Sequence, residues 1–238
     1  MKIDATDMAF DVLNETIRQC ADRDVEITGA LGQRFIAAGT SEKRIAIHGT
    51  PGNALAAYLN GAEVEVFGNA QDAVGDTMNE GKVVVHGNIG DAAGYAMRGG
   101  SIYVRGNAGY RAGIHMKAYQ DKVPHLVIGG VAGSFLGEYQ AGGIIVVLGL
   151  HCDRPIVGNF PCTGMHGGKM LLRSDLKGMS LPMGVHAERV NARDSEFAPC
   201  IREYCRLFGE NEDTVFDGTF TLVTPDTSNP YKQMYVQN

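Results

Sequence analysis

The residues best suited to chemistry gather in the segment LHCDRP, where His151, Cys152 and Asp153 stand side by side, with Cys162 and His166 a short way on. Imidazole and thiolate are ligands for zinc or iron, so His151, Cys152 and His166 form the candidate metal set. Adjacent side chains rarely converge on one ion, and a polar loop inserted between two repeats explains the same residues without a ligand. The segment GGVAG at 129–133 has the glycines of a phosphate cradle. A P-loop also needs a following Lys-Ser/Thr at a helix N-terminus, and a dinucleotide site needs a βαβ setting; the segment has neither. The five cysteines, Cys20, Cys152, Cys162, Cys200 and Cys205, are odd in number and lack a C-x-x-C pair, which points to reduced, mostly structural thiols. No Ser-His-Asp or Cys-His set can be assembled from spacing, because such residues meet in space. The residues therefore nominate no catalytic and no cofactor-binding group.

Composition narrows the classes further. The 238 residues are 44% hydrophobic and carry a formal net charge of −6 with no basic stripe, which argues against nucleic acid and an anionic membrane as partners. No window reaches the roughly 18 apolar residues of a membrane span, and residues 1–21 read as an amphipathic helix rather than a signal peptide. A cytoplasmic location is the expectation. The unusual count is glycine, 32 against 8 prolines, set among apolar triplets rather than in Ser-rich tracts. Such a composition suits a tight repeated backbone and not a flexible linker.

The elements that must position any site recur every 19 residues. Gly49, Gly68, Gly87 and Gly106 close successive apolar runs at that interval, Gly130 follows after 24, and Gly149 after 19 more. Four residues before these anchors stand Ile45, Val64, Val83, Ile102, Leu126 and Ile145; two before stand Ile47, Val66, Val85, Val104, Ile128 and Val147. Aliphatic alternation of this kind predicts a short strand with one buried face. Further glycines recur three and seven residues after most anchors, for bends or close approach, and Leu55, Val74, Ala93, Ala112 and Leu136 supply another inward column. Asn69, Asn88 and Asn107, one after their anchors, predict a structural hydrogen-bonded ladder. Two short strands and two glycine bends fit one period, so the expected architecture is all-β: a single-stranded right-handed parallel β-helix, a solenoid with helical caps at both ends.

The flanks suggest three parts: a capping helix in 1–24, the glycine repeat in 25–180, and an extension of helix, short strand and tail in 181–238. The first helix is predicted over 7–21 with Thr6 or Asp7 as cap, and the second over PCIREYCRLFG, with Ile201, Tyr204, Cys205 and Phe208 on one face and Gly209 as stop. Outward strand positions turn apolar along the repeat, from Ala46 and Glu65 to Val84, Tyr103, Val127 and Val146. Either the C-terminal segment or another protein must cover them. Glu65 is the sole acid in the two outward columns nearest the anchors, which argues against a carboxylate-pair glycosidase.

The segments GTPGNALAAYLNGAEVEVFGNAQDAVGDTMNEGKVVVHGN, GVAGSFLGEYQAGGIIVVLG and GNFPCTGMHGGKMLL resemble, in order and spacing, the glycine-repeat (GXGXG) domain that closes the large subunit of glutamate synthase. Residues 25–174 carry the resemblance, including the late motif of Gly164, Met165, Gly167 and Gly168. It implies a right-handed β-helix without catalytic residues, packed beside the path between a glutaminase that uses an N-terminal cysteine and a flavin-binding barrel that makes glutamate from 2-oxoglutarate. Met1-Lys2 offers no N-terminal cysteine, and the chain has no room for a barrel of about 250 residues. The implied role is a stand-alone scaffold subunit meeting a glutaminase-type amidotransferase subunit and an FMN-binding synthase subunit. FMN and an iron–sulfur cluster then belong to the partners and no cofactor to this chain. The same domain type occurs as the C subunit of formylmethanofuran dehydrogenase and in N-methylglutamate synthase-type complexes, and the longer GLHCDRPIVGNF link and two-cysteine C-terminal helix keep those alternatives open. Two further alternatives are an independent metal-binding β-helix protein, using the His151 to His166 loop, and a homo-oligomer that assembles without a foreign partner.

Overall fold

The computed structural model describes residues 1–226. The aliphatic columns pair in register: Ile45, Val64, Val83, Ile102, Leu126, Ile145 and Met170 lie opposite one another across successive parallel strands, as do Ile47, Val66, Val85, Val104, Ile128, Val147 and Leu172. These strands are β3 (Arg44–Thr50), β4 (Asn60–Phe67), β5 (Glu80–Val85), β6 (Ser101–Val104), β7 (His125–Ile128), β8 (Ala141–Val147) and β9 (Gly167–Leu172). Before them β1 (Lys2–Asp4) and β2 (Asp24–Leu31) extend the parallel run, with helix α1 (Phe10–Gln19) between the two. After them come β10 (Val185–Val190), helices α2 (Ala198–Phe208) and α3 (Glu212–Phe216), and β11 (Phe220–Pro225). β11 runs antiparallel to β9, and β10 antiparallel to β11 at the sheet's far edge.

The expected right-handed parallel β-helix is corrected by this topology. All the named strands belong to one eleven-stranded, mostly parallel open sheet, and the connections contain turns with a single row of one-residue bridges, Ala70 to Ile89 to Ala108 to Ala132 to Val157. The reason is local. Each repeat was expected to hold a second strand, but left-handed residues interrupt it: Ala73, Gly75 and Thr77 have φ of 57°, 68° and 51°, and Ala92, Gly94 and Ala96 have 55°, 68° and 48°. Alternating signs of φ cannot sustain an extended strand. The connections instead stack by backbone bonds, among which the same set of four recurs in every repeat from Gly49 onward. For the segment after Gly68, Gly75 N–H donates to Leu55 and Asn79 N–H to Leu59, while the Asp72 and Asp76 carbonyls accept from Ala54 and Tyr58.

Each sheet face has its own core. Strand residues of the two aliphatic columns pack with Leu55, Leu59, Met78, Met97, Met116 and Leu136 of the connections. On the other face Val84, Tyr103, Val127, Val146 and Leu171 pack under Phe197, Ile201, Tyr204 and Phe208 of the C-terminal segment. The chain thus covers its own apolar outer positions. Gly129 permits this fit: Tyr204 Oη lies where its Cβ would be, and donates to the Arg105 carbonyl at 3.2 Å. α2 ends at Gly209 with φ 71°, as read from the sequence. α1 is shorter than expected, starting at Phe10 without a side-chain cap, because Asp7 takes a left-handed φ of 57°. β1, β10 and α3 were not foreseen. The tail expected after the last strand falls on residues 227–238, outside the described residues.

Candidate functional site

The His151 loop does not converge. His151 is exposed and approaches Glu210 Oε1 at 3.5 Å, while the half-buried Cys152 points its sulfur at the Arg154 carbonyl, 3.7 Å away. Cys162 faces the core, its sulfur 3.5 Å from Met170 Sδ, and burial pushes its pKa up to about 12. His166 Nδ1 lies 3.0 Å from the Gly164 carbonyl on the outer side of the same turn. Among the described residues no three His, Cys, Asp or Glu side chains gather into a metal site. Cys200 and Cys205, read as lying on different helix faces, are both buried; desolvation raises their pKa values to about 12 and about 11.

The asparagine column forms a ladder of a different kind from the stacked amides expected. Asn69 Oδ1 accepts from the Asn88 backbone N–H at 2.8 Å, Asn88 Oδ1 from Asn107 N–H at 2.8 Å, and Asn107 Oδ1 from Val131 N–H at 2.9 Å. A second ladder stands beside it, missed in the sequence: Asn53 Oδ1 accepts from Asp72 N–H, Asp72 Oδ1 from Asp91 N–H, and Asp91 Oδ1 from Tyr110 N–H. Its signal was the 19-residue spacing of Asn53, Asp72 and Asp91, four after their anchors. Glycines make both ladders fit: a Cβ at the anchors Gly87 or Gly106 would overlap the Oδ1 of Asn69 or Asn88, and one at Gly90 or Gly109 the Oδ1 of Asp72 or Asp91. These glycines act through close approach.

The outer face of β2 to β4 is not covered by α2, which reaches only as far as β5, and it is largely polar. His48, Phe67 and His86 stack across three neighbouring strands with ring centroids 4.8 and 5.0 Å apart, and Phe208 of α2 meets His86 edge-on at 5.3 Å. His86 Nε2 lies 2.7 Å from Glu65 Oε1, and His48 Nε2 lies 3.7 Å from Glu26 Oε1. A carboxylate–imidazole pair can move a proton, yet here each imidazole is stacked on Phe67 and His86 also meets Phe208, so its structural effect is to fix the strand ends. The Lys2 ammonium, hydrogen-bonded to Glu26, holds that carboxyl below its ordinary pKa. Lys82 reaches Glu203 of α2 at 3.3 Å, tying the polar half to the helix.

At the start of the sheet, α1 stands where one more connecting segment would stack. Leu13 and Ile17 seal the core, and Asn14 Nδ2 donates to the Arg34 carbonyl at 2.9 Å. Between α1 and the first connection lies a cleft of about 830 Å³, walled by Phe10 and Phe35 and floored by Ala37, Ala38 and Ser41. The ring centroids of Phe10 and Phe35 are 6.2 Å apart, and the Arg34 guanidinium sits over Phe10. No helix among the described residues is long and apolar enough to cross a membrane.

Comparison with known proteins identifies relatives of the whole arrangement. The model of the GXGXG motif family matches residues 7–221. An uncharacterized protein of Methanocaldococcus jannaschii is 42% identical over 248 residues, covering 98% of this chain and 95% of its own length. A chain from the crystal structure of the formyltransferase/hydrolase complex of Methylorubrum extorquens, in complex with methylofuran, shares the fold. Its TM-score is 0.63 at 18% identity, with 91% of this chain and 87% of that chain covered.

Proposed function

Because the chain belongs to the GXGXG motif family, we propose that it is a non-catalytic scaffold subunit of a glutamate synthase-type complex in the cytoplasm, packing between a glutaminase-type subunit and an FMN-binding synthase subunit. The observation that carries this reading is the extent of the family match, which runs through the strands, the connections and the covering helix alike. FMN and an iron–sulfur cluster are then held by the partners. A second reading, a subunit of a formylmethanofuran dehydrogenase-type complex, is favoured by the fold shared with a chain of the formyltransferase/hydrolase complex. The test is isolation of the chain from its native cell with identification of co-eluting chains and the flavin absorbance of the same fractions. A stoichiometric yellow complex with a glutaminase-like chain and a barrel-sized chain is the expected result. A colourless complex with formyl-transferring chains selects the second reading, and a chain that elutes alone overturns both.

A further inference from the structure

The backbone ladder of the connections has a regular grammar. From the segment after Gly49 onward, each connection offers four groups to the one before it: two N–H donors and two C=O acceptors. In the segment after Gly87 these are Gly94 N–H to Val74, Arg98 N–H to Met78, and the carbonyls of Asp91 and Tyr95, which accept from Ala73 and Thr77. The same four positions in the first connection, counted from Ala30 because it pairs with Gly49, are Ala37 N–H, Ser41 N–H, and the carbonyls of Arg34 and Ala38. The connection before it, between β1 and β2, is built around helix α1 and is not a repeat of this kind. Asn14 of α1 satisfies the Arg34 carbonyl with its amide, reproducing one donor of the absent segment. Among the described residues Ala37 N–H, Ala38 C=O and Ser41 N–H have no partner, and all three residues line the 830 Å³ cleft under α1.

Ala37 is buried and Ala38 and Ser41 are exposed; a buried N–H is satisfied as a rule, and exposed rows of backbone groups recruit another backbone. We infer that this cleft receives a segment of a partner polypeptide folded in the same turn-rich conformation as the later connections, which completes the ladder as its missing rung. The occupant must present a carbonyl to Ala37, an N–H three residues later to Ala38, and the next carbonyl to Ser41, because each later connection is bonded in that order by its predecessor. An apolar side chain of the segment rests on the wall made by Phe10 and Phe35. This is backbone addition at an open edge, in which main-chain bonds supply affinity and the wall supplies selectivity. The inference rests on the subunit reading above and names one of its contact surfaces.

Amide hydrogen exchange on the complex isolated from the native cell, against the same chain separated from it, tests the inference. Ala37 and Ser41 amides are expected to slow by about tenfold or more in the complex. Phe35 and Gly39, which donate forward to Asn53 and Ala57, are expected to be protected in both samples. Ala38→Glu, which fills the cleft from an exposed position, is expected to lower the co-purified partner about tenfold, as is Ser41→Pro, which removes only an unpaired donor. A benzophenone side chain at position 38 should then cross-link to one contiguous segment of a stoichiometric partner. If the complex forms while Ala37 and Ser41 exchange as in the separated chain, this inference fails and the subunit reading stands. A cross-link to a second copy of the chain also overturns it, and a chain with no partner overturns both.

Discussion

Two glycine-to-alanine changes in neighbouring repeats should separate the two uses of glycine. Gly94 has φ 68°, and a Cβ there meets nothing closer than Leu126 Cδ2 at 3.7 Å, so only the left-handed backbone penalizes Gly94→Ala. That penalty is about 1–2 kcal/mol, offset by about 0.4–1 kcal/mol from the stiffer unfolded chain, for a net loss of about 1 kcal/mol or less. Ala56 already occupies the equivalent position with φ 58°. At Gly106 the φ is ordinary, but a Cβ would overlap Asn88 Oδ1 and crowd the Gly87 carbonyl oxygen at 2.8 Å. Gly106→Ala therefore costs about 1–3 kcal/mol of overpacking and about 1 kcal/mol for the lost bond to Asn107 N–H, which the same offset from the stiffer unfolded chain brings to a net of about 2–3 kcal/mol. Urea unfolding followed by circular dichroism reads the difference. With an m-value of about 3 kcal/mol/M, the midpoint should fall by about 0.3 M or less for Gly94→Ala and by nearly 1 M for Gly106→Ala. Equal shifts, or a larger one for Gly94→Ala, would refute the assignment of anchors to close approach.

Two other outcomes follow from the buried thiols and the aspartate ladder. The pKa values of Cys162 and Cys200 are raised from 9.0 to about 12 in the folded chain. Between these limits the unfolded chain loses a proton that the native one keeps, so stability is full below pH 9 and falls by about 1.4 kcal/mol per pH unit per thiol above it. Unfolding midpoints measured from pH 8 to 10.5 should show a shallower decline in Cys200→Ala, and an unchanged slope would remove desolvation as the cause. In the second ladder Asp72 and Asp91 stand in adjacent repeats, at about the 4.8 Å strand spacing, where like charges repel by about 0.9 kcal/mol in water. Asp91→Asn keeps the acceptor for Tyr110 N–H and should stabilize the chain by up to that amount at low salt, less at 0.5 M salt, whereas Asp91→Ala should lose about 1 kcal/mol. A destabilizing, salt-independent Asp91→Asn contradicts the repulsion.

Much of the strand pattern was legible because one face of each strand is buried, which ties alternation directly to register. Ile45 to Ile145 could be aligned by eye for that reason, and Ile201, Tyr204 and Phe208 likewise showed the buried stripe of α2. The connections were misread for an equally physical reason. Ala73, Ala92, Arg111 and Phe135 all hold left-handed φ, a state that residue type does not advertise when it is imposed by bonds to the next repeat. Glycine marked only one of the three left-handed positions per repeat, so the turns looked like a second strand. The geometry of the His151 to His166 loop was hidden for a similar reason: Cys162 and His166 are near in sequence, yet the turn at Gly164 sends one side chain to the core and the other outward.

The covering of the outer face alters where partner contacts must be sought. A scaffold whose apolar strand positions waited for foreign chains would expose Val127 and Val146 when separated from its complex. Here those residues lie beneath Ile201 and Tyr204 of the same chain, and the fit of Tyr204 against Gly129 leaves no space for a substitute. Separation from partners should then leave this core intact, since no interface supplies any part of it. Among the described residues, two surfaces near the start of the sheet are open to recognition. One is the polar half of the sheet around His48, Phe67 and His86; the other is the first connection, where three backbone groups lack, among the described residues, the partners that their equivalents have in later repeats. Only the second carries unsatisfied directional bonds in a cleft, and directional bonds distinguish one partner from another more sharply than a solvated array of paired charges does.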